Sequence, residues 1–233
     1  MSLYLIINIA IITFPLLFSF ENKIKFYKKW PYLFLSMIIV GIPFIIWDIF
    51  ATARGDWTFN RAHLLNLNIG GIPIEEISFF IAVPYAIIFL YETYQFFIPK
   101  LRWDMKYGLF HLPLSLSIFT AFIFSNKNYT LTLFLFLSFT FLLLATTKPS
   151  FLKQKYFIGF LLFTFIPFAI VNYILTSLPV VSYKQSAIWG IRISTIPVED
   201  FFYSFTLITL YIYFYELSKE KLKRKTIKIS RMN

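Results

Sequence analysis

Two stretches decide how this chain is built: Ile72-Pro73-Ile74-Glu75-Glu76-Ile77-Ser78-Phe79-Phe80 and, 124 residues later, Ile196-Pro197-Val198-Glu199-Asp200-Phe201-Phe202-Tyr203. In each, a proline stands just ahead of an acidic pair and an aromatic run. Proline is unstrained at a helix start, because its missing N–H would have been unpaired there. Acids in a first helical turn meet the positive end of the helix dipole. Each stretch therefore predicts the opening of a helix. At the same offset Ile42-Pro43-Phe44 falls on Ile166-Pro167-Phe168, Thr52 on Thr176, and Tyr91-Glu92 on Tyr215-Glu216. Over residues 42–92, 12 of 51 aligned positions are identical without a gap. Aliphatic-rich segments match by chance, but a shared register for Pro-x-Glu-acid and Tyr-Glu is a stronger signal, and it predicts an internal repeat.

Working outward, the composition names the medium. Of 233 residues 58% are hydrophobic and 14% charged, whereas a soluble chain is about one quarter charged. This excludes a soluble enzyme, a disordered tail and a disulfide-stapled secreted domain. The chain has no Cys, which excludes thiol chemistry and thiolate metal sites, and its two His are too few for a His-rich centre. No G-x-G-x-x-G or P-loop pattern is present. Neither metal nor cofactor is expected.

Seven apolar stretches approach the length needed to cross ~30 Å of hydrocarbon as helices: Leu3–Phe20, Tyr32–Ala53, Pro73–Phe97, Gly108–Ser125, Tyr129–Thr147, Phe157–Leu178 and Ile196–Glu216. The first has no basic residue before it and no small-residue cleavage site after it, so it reads as a retained helix. The expected fold is an all-α integral membrane protein with seven transmembrane helices. Helices 1–3 correspond to helices 5–7. The single intervening helix 4 leaves both units pointing the same way, as two parallel three-helix repeats about a pseudo-twofold axis along the membrane normal. The expected division is a first repeat over 1–100, a linker helix over 101–127, a second repeat over 128–217 and a basic tail over 218–233.

The basic residues predict direction. Segments 21–31, 98–107, 148–156 and the tail hold 17 of the 22 Lys and Arg. All four fall on one side if the helix count is odd, so the N-terminus is expected outside and the C-terminus in the cytoplasm, in the inner (plasma) membrane. The tail reads as an orientation signal and headgroup anchor, not a nucleic-acid site. Trp30 and Trp103 are expected at the inner interface, Trp57 and Trp189 at the outer one.

Seven of the eleven acids lie within or at the edge of a span: Asp48, Glu75, Glu76, Glu92, Glu199, Asp200 and Glu216. Intramembrane carboxylates are costly and mark functional sites. Adjacent acids on a helix point about 100° apart, so one of each pair can face the bundle. Crowded carboxyls in low dielectric cannot all ionise, which is how a site keeps a carboxylic acid. Asp48, whose repeat partner is Asn172, reads either as part of the site or as a partner of Arg54 or Arg61. Arg54, Arg61 and Arg192 are candidate counter-ions. Glu92 and Glu216 fall about 25 Å from the pairs and read as interfacial or packing residues. His63 reads as a solvated loop residue, and His111 opens helix 4. Trp47, Trp57, Phe79, Phe80, Phe201, Phe202 and Tyr203 are placed to offer π faces to a cation, worth ~0.5–2 kcal/mol each. An acid, a base and aromatic faces suit protonation of a carbon–carbon double bond, rearrangement of a carbocation and loss of a proton. A proton relay or a lipid-binding protein needs similar acids. A retinal protein needs a Lys in the bundle, and helix 7 has none between Ile196 and Glu216.

The tandem Pro-x-Glu-acid motifs with their aromatics, and Trp47-Asp48 followed by Gly55-Asp56-Trp57-Thr58-Phe59-Asn60, resemble the lycopene cyclase domain of the non-flavin type, here in its fused tandem form. The resemblance covers nearly the whole chain. The second copy departs from the first in Asp200 for Glu76, Asn172 for Asp48, and the lack of a Gly-Asp-Trp loop, which points to a mainly supporting second half. The resemblance implies an enzyme that closes the ψ end groups of lycopene into β rings, giving γ- or β-carotene without net redox. Its expected partners are this lipid-soluble polyene, the membrane and other carotenoid biosynthesis enzymes. Glu75 or Glu199 is the expected general acid and Glu76 or Asp200 its partner, with Asp48 and Arg61 orienting them and Asn60 and Asn172 supporting. The competing expectations are another end-group cyclase forming ε or γ rings, and a non-enzymatic proton-conducting or lipid-binding seven-helix protein.

Overall fold

Each apolar stretch is helical in the computed structural model, which describes residues 2–98, 101–102 and 106–230. Lys100, Trp103 and Arg231, used above to assign direction and interface, lie outside the described residues. The helices are α1 (Leu3–Phe18), α2 (Trp30–Arg54), α3 (Ile74–Phe97), α4 (His111–Ile123), α5 (Asn128–Thr147), α6 (Lys155–Ser177) and α7 (Val198–Ser230). Local chemistry sets their ends. Ser2 caps α1, its Oγ accepting from the Leu5 N–H at 3.1 Å. Gly55 closes α2 in the left-handed region at φ +73°.

Two helices differ in length from expectation. α4 has 13 residues, about 20 Å, with a 3-10 turn over Tyr107–Phe110 ahead of it. α7 continues past Glu216 to Ser230. The segments Phe26–Arg54, Ile74–Phe97, Asn128–Thr147 and Tyr156–Ser177 are long and apolar enough to cross a membrane, while α1 and α4 are apolar but shorter.

Short strands follow the 124-residue offset. β2 (Asn68–Ile69) pairs with β3 (Ile72–Pro73), and β5 (Arg192–Ile193) with β6 (Ile196–Pro197), each an antiparallel hairpin that delivers the chain into α3 or α7. Gly70 and Gly71 supply the positive φ of the first turn (+63° and +92°), the geometry that matches strand twist. Ser194 supplies one positive φ, +58°, in the second. β1 (Trp57–Phe59) and β4 (Val181–Tyr183) occupy the same place in the two halves and pair with one another, Thr58 opposite Ser182.

Helix packing repeats in the same way. α1 lies on α3 and α5 on α7, while α2 packs on α7 and α3 on α6 across the two halves. α4 lies against α5, where the Ser117 and Ser138 hydroxyls meet at 2.8 Å.

The two ends of the bundle differ. One end gathers the first turn of α1 and the loops carrying the strands: Ser2 Oγ lies 2.9 Å from the His63 carbonyl oxygen, and Asn60 N–H donates to Val180 O at 2.9 Å. The opposite end gathers the basic segments around Glu92, which is buried. Glu92 Oε2 pairs with Lys29, and its Oε1 accepts from Tyr215 Oη at 2.6 Å and from Lys219 Nζ at 2.8 Å. Lys219 also reaches Glu216 at 3.0 Å. One carboxylate thus ties the α1–α2 connection, α3 and α7. Removing one partner of a buried ion pair costs about 3–5 kcal/mol, and less where the lysines keep partial contact with water. Glu92→Ala is expected to lower the thermal unfolding midpoint of the detergent-solubilised protein by about 5 °C or more, while Glu216→Ala, which removes an outer member, moves it far less.

Candidate active site

Adjacent acids at the start of α3 and α7 part company, and the split repeats in both halves. Glu75 and Glu199 are fully buried and turn into the loops behind them. Glu75 Oε1 accepts from Ser2 Oγ at 2.7 Å and from the Leu65 N–H at 2.6 Å. Glu199 Oε1 accepts from Thr130 Oγ1 at 2.7 Å and from the Trp189 N–H. Leu65 and Trp189 are themselves 124 residues apart. Each carboxyl pins the loop ten residues upstream, and a helix from the front of its own half, onto a helix N-terminus.

Glu76 and Asp200, one residue on and about 100° round the helix, face the opposite way, into a shared cavity of about 190 Å³. Tyr4 of α1 donates to Glu76 Oε2 at 2.6 Å, and Tyr129 of α5 donates to Asp200 Oδ1 at 2.6 Å. Here the halves diverge. Asp200 Oδ2 takes two further donors, Asn172 Nδ2 at 2.8 Å and Tyr183 Oη at 3.0 Å. Burial, then the charge of Asp200, push the Tyr183 phenol well above its usual range, so it serves as a donor. Where α6 has Asn172, α2 has Asp48. Its Oδ1 accepts from Trp57 Nε1 at 2.9 Å and from Thr52 Oγ1 at 3.3 Å, and its Oδ2 has no partner.

Three carboxyls, Asp48, Glu76 and Asp200, therefore meet one cavity, and among the described residues no Lys, Arg or His stands on its wall. The rest of the wall is largely apolar and aromatic. Trp47 packs at 5.8 Å from Tyr129, 5.7 Å from Tyr203 and 5.2 Å from Phe136. The paired strands β1 and β4 form a roof. By the two-residue period of a strand, Trp57, Phe59, Val181 and Tyr183 point into the cavity while Thr58 and Ser182 are exposed.

The other candidates from the sequence are placed as follows. Trp47, Trp57, Phe79, Phe80, Asn172 and Tyr203 line the cavity, and Trp57 is buried there instead of standing in an interfacial belt. Phe201 packs on Phe168 at 5.1 Å, and Phe202 on Phe134 at 5.2 Å. Asn60 is exposed and caps the turn Arg61–His63 through the Ala62 N–H at 3.0 Å. Arg61 is exposed on that turn. Arg54 pairs with Asp56 at 2.7 Å, and Arg192 donates to the Thr195 carbonyl at 2.7 Å. Among the described residues none of the three arginines forms an ion pair with the acid pairs or Asp48. Trp30 Nε1 donates to Tyr85 Oη at 3.0 Å, and His111 Nδ1 lies 3.0 Å from the Gly108 carbonyl.

Sequence reasoning did not single out the donors. Tyr4 and Tyr129 stand 125 residues apart, close to the repeat offset, and extending the self-comparison into helices 1 and 5 would have flagged them. Ser2, Thr130 and Tyr183 carry no such signal.

The model of the lycopene cyclase family matches residues 1–94 and 126–218, two segments that each hold one acid pair. The chain belongs to the lycopene cyclase family, in fused tandem form. Neither the curated proteins nor the solved structures searched give a match.

An unpaired buried donor costs about 1–3 kcal/mol. Glu75→Ala leaves the Leu65 N–H without its acceptor, while the Ser2 hydroxyl can turn to the His63 carbonyl, and it is expected to lower the unfolding midpoint by about 5 °C. Glu75→Gln keeps a carbonyl acceptor and should lose less than half as much. Glu199→Ala and Glu199→Gln should behave alike, read by thermal unfolding in detergent.

Proposed function

We propose that this carotenoid cyclase closes the ψ end groups of lycopene into β rings, and that Asp48 and Glu76 carry the proton transfers. The observation that supports this best is the convergence of three carboxyls without a counter-ion on one aromatic-lined, apolar cavity. Asp48, with Oδ2 free, is the general acid. It gives its proton to the terminal double bond of the ψ end, leaving a tertiary carbocation. The next double bond in reach attacks that cation and closes a six-membered ring. Glu76, oriented by Tyr4, takes the proton lost as the ring double bond forms, and that proton returns to Asp48. One proton enters and one leaves, so the product has the mass of the substrate.

Asp200 is held by three donors and serves as a fixed carboxylate facing the cationic intermediate, alongside the π faces of Trp47, Trp57 and Tyr203. In this reading Glu75 and Glu199, the acids first expected of the sequence, position the helix starts and stay out of the chemistry.

General acid–base catalysis contributes about 10²–10⁴-fold. Asp48→Asn and Glu76→Gln should each lose that much turnover in a lycopene-accumulating bacterium, with pigments resolved by chromatography and mass. Asp200→Asn should lose about 10²-fold. Glu75→Gln and Glu199→Gln should keep substantial activity, and a loss from these two as deep as that of Glu76→Gln, at equal thermal stability, would move the acid role to the buried pair. The retention time of the product distinguishes β from ε and γ rings.

We further propose that the chain spans the inner membrane seven times as two parallel three-helix units joined by α4. The basic segments collect at the Glu92 end, which supports a cytoplasmic C-terminus and a cavity near the outer leaflet. The chain has no native Cys, so single cysteines report cleanly. Ser186→Cys should react with a membrane-impermeant maleimide in intact cells, and Ser150→Cys only after the cells are opened.

A further inference from the structure

The cavity runs inward from the acids between α3 and α6, with Ser204, Leu207 and Ile208 of α7 completing its wall. Along α3 it is lined by Glu76, Phe80, Val83, Ile87 and Leu90, a single helix face at three- and four-residue spacing. Fourteen residues of helix make this face about 21 Å long. From α6 the facing wall runs over Leu175, Val171, Phe168 and Thr164, about 16 Å. All three carboxyls sit at one end. Among the described residues no ionisable side chain lines the wall deeper than Phe80, where the small side chains of Val83, Ala86 and Thr164 stand.

The companion seam, between α2 and α7, is filled by rings. Phe44 and Trp47 each lie against Tyr203, at 5.6 Å and 5.7 Å. In α6 the residue at the place of Trp47 is Val171, and in α3 the residue at the place of Tyr203 is Phe79. The loss of an indole from the α3–α6 seam leaves room there that the α2–α7 seam lacks. Past the deep end the two helices close again. Tyr94 packs on Phe160 at 5.7 Å, and a Cβ at Gly159 would stand 2.7 Å from its hydroxyl. Pro84 stands in the middle of α3, where α7 has Ile208. It removes one backbone N–H from the α3 ladder.

We infer that this slot between α3 and α6 holds the stem of a linear polyene behind the reacting tip, and that Val83, Ala86 and Thr164 set how much stem is accepted. The inference rests on the cyclase reading and extends it from the tip to the rest of the substrate. A conjugated stem is flat and stiff and cannot coil into a compact pocket. A tip held among Asp48, Glu76 and Asp200 therefore needs a straight apolar path behind it. The α3–α6 seam supplies that path, and the ring-filled α2–α7 seam does not. Each binding event then commits one end of the substrate to the acids.

The test compares two acyclic probes with the same ψ end, lycopene and an apo-lycopenal cut near mid-stem, using the full-length protein in nanodiscs. The wild type is expected to favour lycopene by about tenfold in kcat/KM. Ala86→Trp, and Thr164→Trp from the facing helix, should lower that ratio by about tenfold. Ile81→Trp, half-exposed at similar depth on the outside of α3, should leave it unchanged. A wild type that turns over both probes equally overturns the slot whatever the variants do, and leaves the cyclase reading standing. So do both Trp variants if they keep the wild-type ratio. Turnover of neither probe by the wild type overturns the cyclase reading and the slot with it.

Discussion

A carboxyl buried in an apolar helix bundle must find hydrogen-bond donors from the protein, because its apolar surroundings offer none. That constraint organises this molecule. Asp48, Glu75, Glu76, Glu199 and Asp200 lie near one end of the bundle; Asp48 takes its donors from Thr52 and Trp57 nearby in sequence, and each of the other four has a donor from a distant part of the chain. Ser2 and Tyr4 come from α1, Tyr129 and Thr130 from α5, Trp57 and Tyr183 from the roof strands. Such buried hydrogen bonds contribute about 0.5–1.5 kcal/mol each. Their larger effect is geometric. They fix α1 on α3, α5 on α7 and the roof over both, and so give the cavity its shape.

The paired acids divide their work by helix geometry alone. A step of one residue turns the side chain by about 100°. The first acid of each pair is thereby committed to the loop that enters the helix, and the second to the interior. This explains how much of the site could be read in advance. The helices followed from apolar runs and the repeat from its offset. The acid pairs followed from proline and acid at a helix start. Which member of a pair faces the cavity was not legible, because it depends on the angle at which the hairpins β2–β3 and β5–β6 launch α3 and α7. The arginines were expected as counter-ions on charge alone, whereas Arg54 is taken up by Asp56 two residues away. The roof was hidden as well. Three-residue strands whose partners lie more than 120 residues away leave no local signal, although Trp57 and Tyr183 carry the alternation that places them inward.

The two halves keep the same frame and have lost equal chemistry. The hairpin, the loop-pinning glutamate and the tyrosine-bound acid are present in both. What differs is the place of Asp48, which Asn172 fills in the second half. An amide there donates to Asp200 instead of adding an acid, so Asp200 ends with three donors while Asp48 keeps one oxygen, Oδ2, without a donor among the described residues. Under the proposed mechanism, a duplicated frame with one acid exchanged for an amide gives one site with an active and a supporting side.

The cavity wall also answers a problem that the proposed chemistry poses. A tertiary carbocation is captured by any water within reach, which would yield an alcohol in place of a ring. Excluding water prevents that side reaction. The carboxyls needed for proton transfer attract water, so the two requirements conflict. The arrangement of donors reconciles them. Tyrosine, tryptophan and asparagine donate to one oxygen each of Asp48 and Glu76 and to both of Asp200, and these donors are themselves packed among rings: Tyr129 stacks on Tyr183 at 5.5 Å, and Trp57 meets Tyr129 edge-on at 5.3 Å. The roof strands expose Thr58 and Ser182 and turn only aromatic and aliphatic side chains inward. Polarity at the acid end is thus supplied by fixed protein donors, which cannot add to a cation as water does, and the rest of the wall is left to hydrocarbon.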